Sequence, residues 1–198
     1  RYVQVLHRLN ELRPDHSRRA LFDAKGYPPL RVECSLAFFN DDHRRLLDPA
    51  APSVENRMEA LRFLRHENVP VFPRIDPLFP RDPLSGGKAM ADFGLPDVQS
   101  MHDLEGLVSF GQELAAGHII YSVAKITRPQ QGSLSPVMER MKRAYQHLAD
   151  CHRLTFRGGS WRLPENVANE QVVGSFLELC RQYSMPAKAC KASLLTTP

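Results

Sequence analysis

The sequence predicts an α/β fold, parallel strands alternating with helices as in the second half of a partial (β/α) TIM-type barrel. Three observations carry that expectation. Residues 31–80 read as strand, capped amphipathic helix, turn and strand; the pattern recurs about three times, with a looser fourth unit; and polar side chains collect where strands end, the place where α/β sheets and barrels put their chemistry. Too few strands are present for the eight of a closed barrel. At 198 residues, 42% of them hydrophobic, the chain is expected to form one domain around one core, with barrel units over about 30–150 and an extension over about 151–198.

The chain opens on an amphipathic segment carrying Val3, Val5, Leu6, Leu9 and Leu12, an element already under way. With Arg1 in place of a methionine, this predicts a fragment of a longer chain. Tyr27-Pro28-Pro29 excludes a helix and feeds a strand over about 30–38, where Val32, Cys34 and Leu36 alternate with Arg31, Glu33 and Ser35. Asp41, Asp42 and His43 are expected to open a loop. Ser53 is a natural N-cap, Glu55 suits the first turn, and Val54, Met58, Leu61 and Leu64 or Phe63 form the buried stripe of a helix to about residue 65.

Prolines 70, 73, 77 and 80 each remove a ladder donor, so residues 69–80 read either as a polyproline loop or as a short strand ending near Asp76. The strand is preferred, because Val71, Phe72 and Ile75 supply apolar cover and a helix of this kind returns to the sheet. Residues 81–99 lack periodicity and read as a functional loop. Ser100 and Asp103 form a capping box for a helix that Gly117 can end, and HIIYSVA (118–124) is the cleanest strand, with Lys125 at its carboxyl end. Ser135-Pro136 starts a helix with Met138, Met141, Tyr145 and Leu148 on one face. Strand and turn over 154–161, a helix over 167–183 and a final strand within 185–190 complete the reading.

Charge excludes little. The 26 basic and 22 acidic residues leave +4, too small and dispersed an excess to support a nucleic-acid surface. No apolar run approaches the roughly 20 residues of a membrane span, and a cytoplasmic protein without membrane contact is expected. Cys34, Cys151, Cys180 and Cys190 lack the spacing of a disulfide scaffold or a metal knuckle and read as reduced thiols. The histidines form no H-E-x-x-H pattern, so a zinc hydrolase is unsupported. Ser85-Gly86-Gly87-Lys88 lacks the glycine spacing and leading strand of a phosphate loop and reads as a surface turn.

Cys34-Ser35-Leu36, the helix start Pro52-Ser53-x-x-Asn56-Arg57, the strand closing in Asp76-Pro77-Leu78-Phe79-Pro80 and the tract ELAAGHIIYSVAKI follow one another as in another group of proteins. Over about residues 30–150 the chain resembles the later half of a radical S-adenosylmethionine (radical SAM) enzyme of the spore photoproduct lyase-like group. The resemblance implies a six-unit partial barrel in which a 4Fe-4S cluster, held by C-x-x-x-C-x-x-C after the first strand, reductively cleaves S-adenosylmethionine to a 5′-deoxyadenosyl radical. It also implies an electron donor such as a flavodoxin or ferredoxin. No cysteine here has the required spacing, so the cluster ligands are expected upstream of Arg1, and this chain holds neither metal ligands nor an assignable catalytic residue.

Carried over position by position, the resemblance places Ser35 on the fourth strand near the cofactor ribose or carboxylate. It places Arg74 on the fifth strand, where a guanidinium fork suits a carboxylate, and Asp76 where it could accept from ribose hydroxyls. The plainer readings are Ser35 satisfied by backbone, Arg74 and Asp76 paired with each other, and Lys125 solvated. Two further functions stay open: a half-barrel scaffold or partner-binding module, and a cluster-free barrel hydrolase or lyase. The substrate is not legible.

Overall fold

Three serines start three helices. Ser53 Oγ accepts from the Asn56 N–H at 3.2 Å, and Ser135 Oγ from that of Met138 at 3.4 Å, with Pro136 in the first turn. Ser100 and Asp103 close a reciprocal capping box at 3.1 and 3.2 Å. Each cap satisfies N–H groups that the helix cannot.

The computed structural model describes residues 2–11, 31–149 and 154–190. Helix α1 (Tyr2–Glu11) is followed by β1 (Val32–Ser35), α2 (Asp41–Leu47), α3 (Val54–His66), β2 (Val71–Leu78), α4 (Met101–Glu113), β3 (Ile119–Val123) and β4 (Ile126–Thr127). Then come α5 (Pro136–Leu148), β5 (Thr155–Arg157), β6 (Ser160–Arg162), α6 (Glu165–Ala168), a π-helical turn (Asn169–Val173), α7 (Gly174–Gln182) and β7 (Ala187–Ala189). The expected α/β alternation is present: β1, β2, β3 and β7 form one parallel sheet in that order. A second, antiparallel sheet orders β4-β6-β5, and its β5–β6 turn places Gly158 and Gly159 at φ 57° and 73°, as a two-residue hairpin turn requires.

Strand alternation splits the parallel sheet into unlike faces. Val32, Cys34, Val71, Ile75, Ile119, Tyr121, Val123 and Ala187 pack into one core with Met58 and Leu61 of α3, Leu107 and Phe110 of α4, and Phe176 and Leu179 of α7. Helices α3, α4 and α7 therefore share one face. The other face carries Glu33, Ser35, Arg74, Asp76, Ser122, Lys188 and Cys190, with Phe72 and Ile120 buried among its apolar members.

Strand β2 is longer than expected because its lost hydrogen bonds are replaced. Pro73 and Pro77 cannot donate, and the pairing with β3 shifts between Ile75 and Leu78. The Gln99 side chain, fully buried, then repairs the strand end: its Oε1 accepts from the Phe79 N–H at 2.7 Å, and its Nε2 donates to the carbonyls of Ala37 at 2.6 Å and Pro77 at 2.8 Å. Three backbone groups of two strand ends thus meet one amide.

Several expectations need correction. Residues 41–47 are helix, not loop: the Asn40 side chain caps α2 by accepting from the Asp42 N–H at 2.8 Å, and Asp41 Oδ1 accepts from Arg44 Nε at 2.7 Å and the Val54 N–H at 3.1 Å. So short a helix has too few turns to show periodicity. Residues 81–99 are a packed cover, since Leu84, Met90, Leu95 and Val98 are all core. Helix α4 ends before Gly117, at Leu114 and Ala115, whose φ is 47°. The last helix contains the π turn, where buried Arg81 donates to the Val172 carbonyl at 2.9 Å and to Ser175 Oγ. Cys151 and His152 lie outside the described residues. Among those residues no helix is long and apolar enough to cross a membrane.

Two predictions follow from this architecture. Gln99→Leu leaves three buried backbone groups unsatisfied and should cost about 3 kcal/mol or more in urea unfolding at neutral pH; an unchanged midpoint would contradict the role given to this amide. Burial first, then Lys188 and Arg31, lowers the His118 pKa to about 4 from 6.5, so the unfolded chain binds the proton first and stability falls as pH drops from about 6.5 to 4. Asp41, held at about 2 by the Arg44 hydrogen bond, adds a separate loss as pH falls from 3.8 towards 2. His118→Gln should abolish the first loss and keep the second, read as unfolding midpoint against pH.

Candidate functional site

The parallel register alone decides which polar residues meet. Ser35 lies beside Arg74, and Arg74 beside Ile120, so the end of β1 stands level with the interior of β2 and β3, whose own ends pair at Leu78 and Val123. Residues two apart on one strand share a face, which brings Glu33, Ser35, Arg74, Asp76 and Ser122 together although they span about half the chain. Cys190, just beyond β7, joins them because its N–H donates to the Tyr121 carbonyl at 2.8 Å.

Arg74 is the hub. One guanidinium nitrogen donates to Glu33 Oε2 at 2.8 Å; the other donates to Asp76 Oδ2 at 2.7 Å and Cys190 Sγ at 2.9 Å. The Asp76 hydrogen bond, followed by that of Glu33, raises the Arg74 pKa above its already high value, burial opposing. The Ser122 hydroxyl donates to Asp76 Oδ1, and Ser35 Oγ donates to the Asp76 carbonyl at 3.0 Å. Arg31 Nε donates to Glu33 Oε1 at 2.7 Å. Arg57, from the P-S-x-x-x-R helix start, donates to the Ser35 carbonyl at 2.8 Å and so ties α3 to the end of β1.

All three sequence-derived candidates, Ser35, Arg74 and Asp76, are therefore in one cluster. Arg74 and Asp76 are paired with each other, and Arg74 could grip an added carboxylate only by exchanging one of its two. Sequence reasoning missed Glu33 and Ser122, and it read Cys190 as a reduced thiol outside any site. The signal for the first two was present, since each stands at an alternating position of a strand already identified.

Next to the cluster, at the carboxyl ends of β3 and β7, lies a cavity of about 380 Å³. Its wall includes Ser122 and Cys190 from the cluster, Lys125, Arg162 of β6, and Glu165 and Asn169 from α6 and the π turn. Lys125 is exposed but lines this cavity. Arg162 was not a candidate, for nothing in its sequence context distinguishes it from other hairpin arginines.

The remaining candidates are accounted for by packing. Ser85–Gly87 is a short turn closed by the Leu84 N–H donating to the Lys88 carbonyl at 2.7 Å, with His147 Nε2 against the Ser85 carbonyl at 2.8 Å. Cys180 is core, and burial pushes its thiol up to about 12. Burial also raises the Cys34 pKa, Arg57 opposing. Among the described residues no group of three His, Cys, Asp or Glu side chains could hold a metal ion.

Comparison with models of protein families, with curated proteins and with solved structures finds no match to this chain.

The cluster predicts an asymmetry between variants. Arg74→Met leaves Asp76 without its cation and Glu33 with Arg31 alone, and should destabilise the chain by about 2 kcal/mol, less than a fully buried pair because the side chains are about a quarter exposed. Adding Glu33→Gln and Asp76→Asn should recover most of that loss. A triple variant less stable than Arg74→Met by urea unfolding would show that the loss does not come from an unpaired carboxylate.

Proposed function

We propose that this chain is the C-terminal part of a radical SAM enzyme and that its four parallel strands are the second half of a partial (β/α) barrel. The strand order carries the reading. A barrel winds in one sense, so strands successive in sequence are neighbours, the helices cover the outer face and the inner face is left for ligands. Doubly wound sheets instead reverse order at a switch point and carry helices on both faces. Here the order β1-β2-β3-β7 never reverses, α3, α4 and α7 share one core, and the charged residues stand on the opposite face.

The residues on that face suit the nucleoside and amino-acid parts of S-adenosylmethionine. Asp76 offers carboxylate oxygens to ribose hydroxyls, Ser35 and Ser122 offer hydroxyls beside it, and Arg74 offers a guanidinium fork to a carboxylate. Glu33 and Asp76 hold that fork in place before ligand arrives, and the ligand carboxylate takes the place of one of them while the other keeps the side chain ordered. The cluster has no such fit: the described residues supply no ligand set for it, and the reading draws its three cysteines from a preceding segment of a longer chain. When bound, the reduced cluster would supply the electron that cleaves the cofactor. The present residues only bind, orient and shield.

The test uses the full-length protein, purified without oxygen. It should hold about four irons per chain and release 5′-deoxyadenosine from S-adenosylmethionine after reduction. Asp76→Asn should weaken S-adenosylmethionine binding about tenfold with iron content unchanged, the worth of one charge-assisted hydrogen bond. A full-length protein that takes up no iron would overturn the reading and favour a half-barrel scaffold.

A further inference from the structure

The cavity beyond β3 and β7 has an electrostatic peculiarity that the cluster beside it does not share. In the cluster each charge has a partner. In the cavity wall stand the half-buried Arg162 and the exposed Lys125, and neither forms an ion pair among the described residues. Two cations against one carboxylate, Glu165, leave the wall net positive.

The wall that presents these charges is built rigidly. Arg162 sits on β6, whose neighbour Trp161 is packed beneath Lys142 at 4.2 Å and against Phe156 at 5.2 Å. Asn169 and Val173 bound the π turn, a distortion frequent at functional sites, and the Val172 carbonyl within it is held by Arg81. Tyr121, Val123 and Val173 add apolar lining on which an organic body can rest. About 380 Å³ is the size of a small-molecule site, not of a macromolecular groove.

We propose that this cavity binds a small organic anion, a carboxylate or phosphate monoester, with Arg162 and Lys125 holding the anionic group and the Tyr121–Val173 side holding the carbon frame. An oxyanion supplies the counter-charge that Arg162 and Lys125 lack among the described residues. Ser122 and Cys190 line the cavity and also contact Asp76 and Arg74, so an anion bound here lies against the proposed cofactor face. Its identification as the substrate rests on the radical SAM reading; its binding does not.

The test is therefore a binding measurement made without S-adenosylmethionine, iron or reductant. The full chain, labelled with ¹⁵N, is titrated separately with inorganic phosphate and with acetate at constant ionic strength. At least one anion should give saturable shifts confined to the amides around 122–125 and 162–169; preference for phosphate identifies a phosphate monoester, and preference for acetate a carboxylate. Arg162→Gln should weaken binding at least tenfold and Lys125→Gln severalfold, while Arg162→Lys retains part of it and Arg157→Gln, on the exposed strand β5, changes nothing. Lys125 is exposed, so its variant keeps the test valid if Arg162→Gln does not fold. No saturable shift with either anion, or equal binding by wild type and both glutamine variants, would overturn the proposal. Anion binding with no iron in the full-length protein would leave this site standing and remove the radical reading.

Discussion

The backbone of β2 is the constraint around which the rest of the molecule is arranged. A central strand must pair on both edges, yet this one contains two prolines and a register shift, and its end would bury unpaired groups in the core. The Gln99 amide resolves this by bonding to Ala37, Pro77 and Phe79 at once. To put Gln99 there, the chain after β2 must turn away, lay Leu84, Met90, Leu95 and Val98 onto the core, and return before α4 begins at Ser100. The long segment with no periodicity is thus a consequence of a proline-rich strand.

The same strand organises the polar face. Arg74 and Asp76 lie on the central strand, so each can reach side chains from both neighbours: Glu33 and Ser35 on one edge, Ser122 on the other. A guanidinium between two carboxylates is a weak source of net stability, because desolvation consumes most of the attraction. Its effect is on geometry. It holds acidic groups on a face that would otherwise expel them, and it does so next to a cavity whose own cations are uncompensated.

Much of this was legible before folding. The serine caps at 53, 100 and 135 act within one turn, so local sequence suffices to identify them, and all three helices start there. The strands around Cys34 and Ile120 were legible from alternation and apolar content. Helix α2 was not, because its stability comes from Asn40, Asp41 and Arg44 bonding to one another and to residues as far as Val54. The site divides in the same way: Ser35, Arg74 and Asp76 were found as strand-end polar residues, whereas Gln99 takes its meaning from groups 20 and 62 residues distant and Arg162 from a cavity wall that no local pattern marks.

By itself, then, the sequence determined the alternation of strand and helix, the capped helix starts and the polar character of the strand ends, since these depend on neighbours within a few residues. Tertiary structure decided which polar ends meet, which of them are neutralised, and which cations are left facing a cavity. Those outcomes depend on strand order and register, where a shift of one residue would move Arg74 and Asp76 to the helix-covered face and exchange them with Pro73 and Ile75.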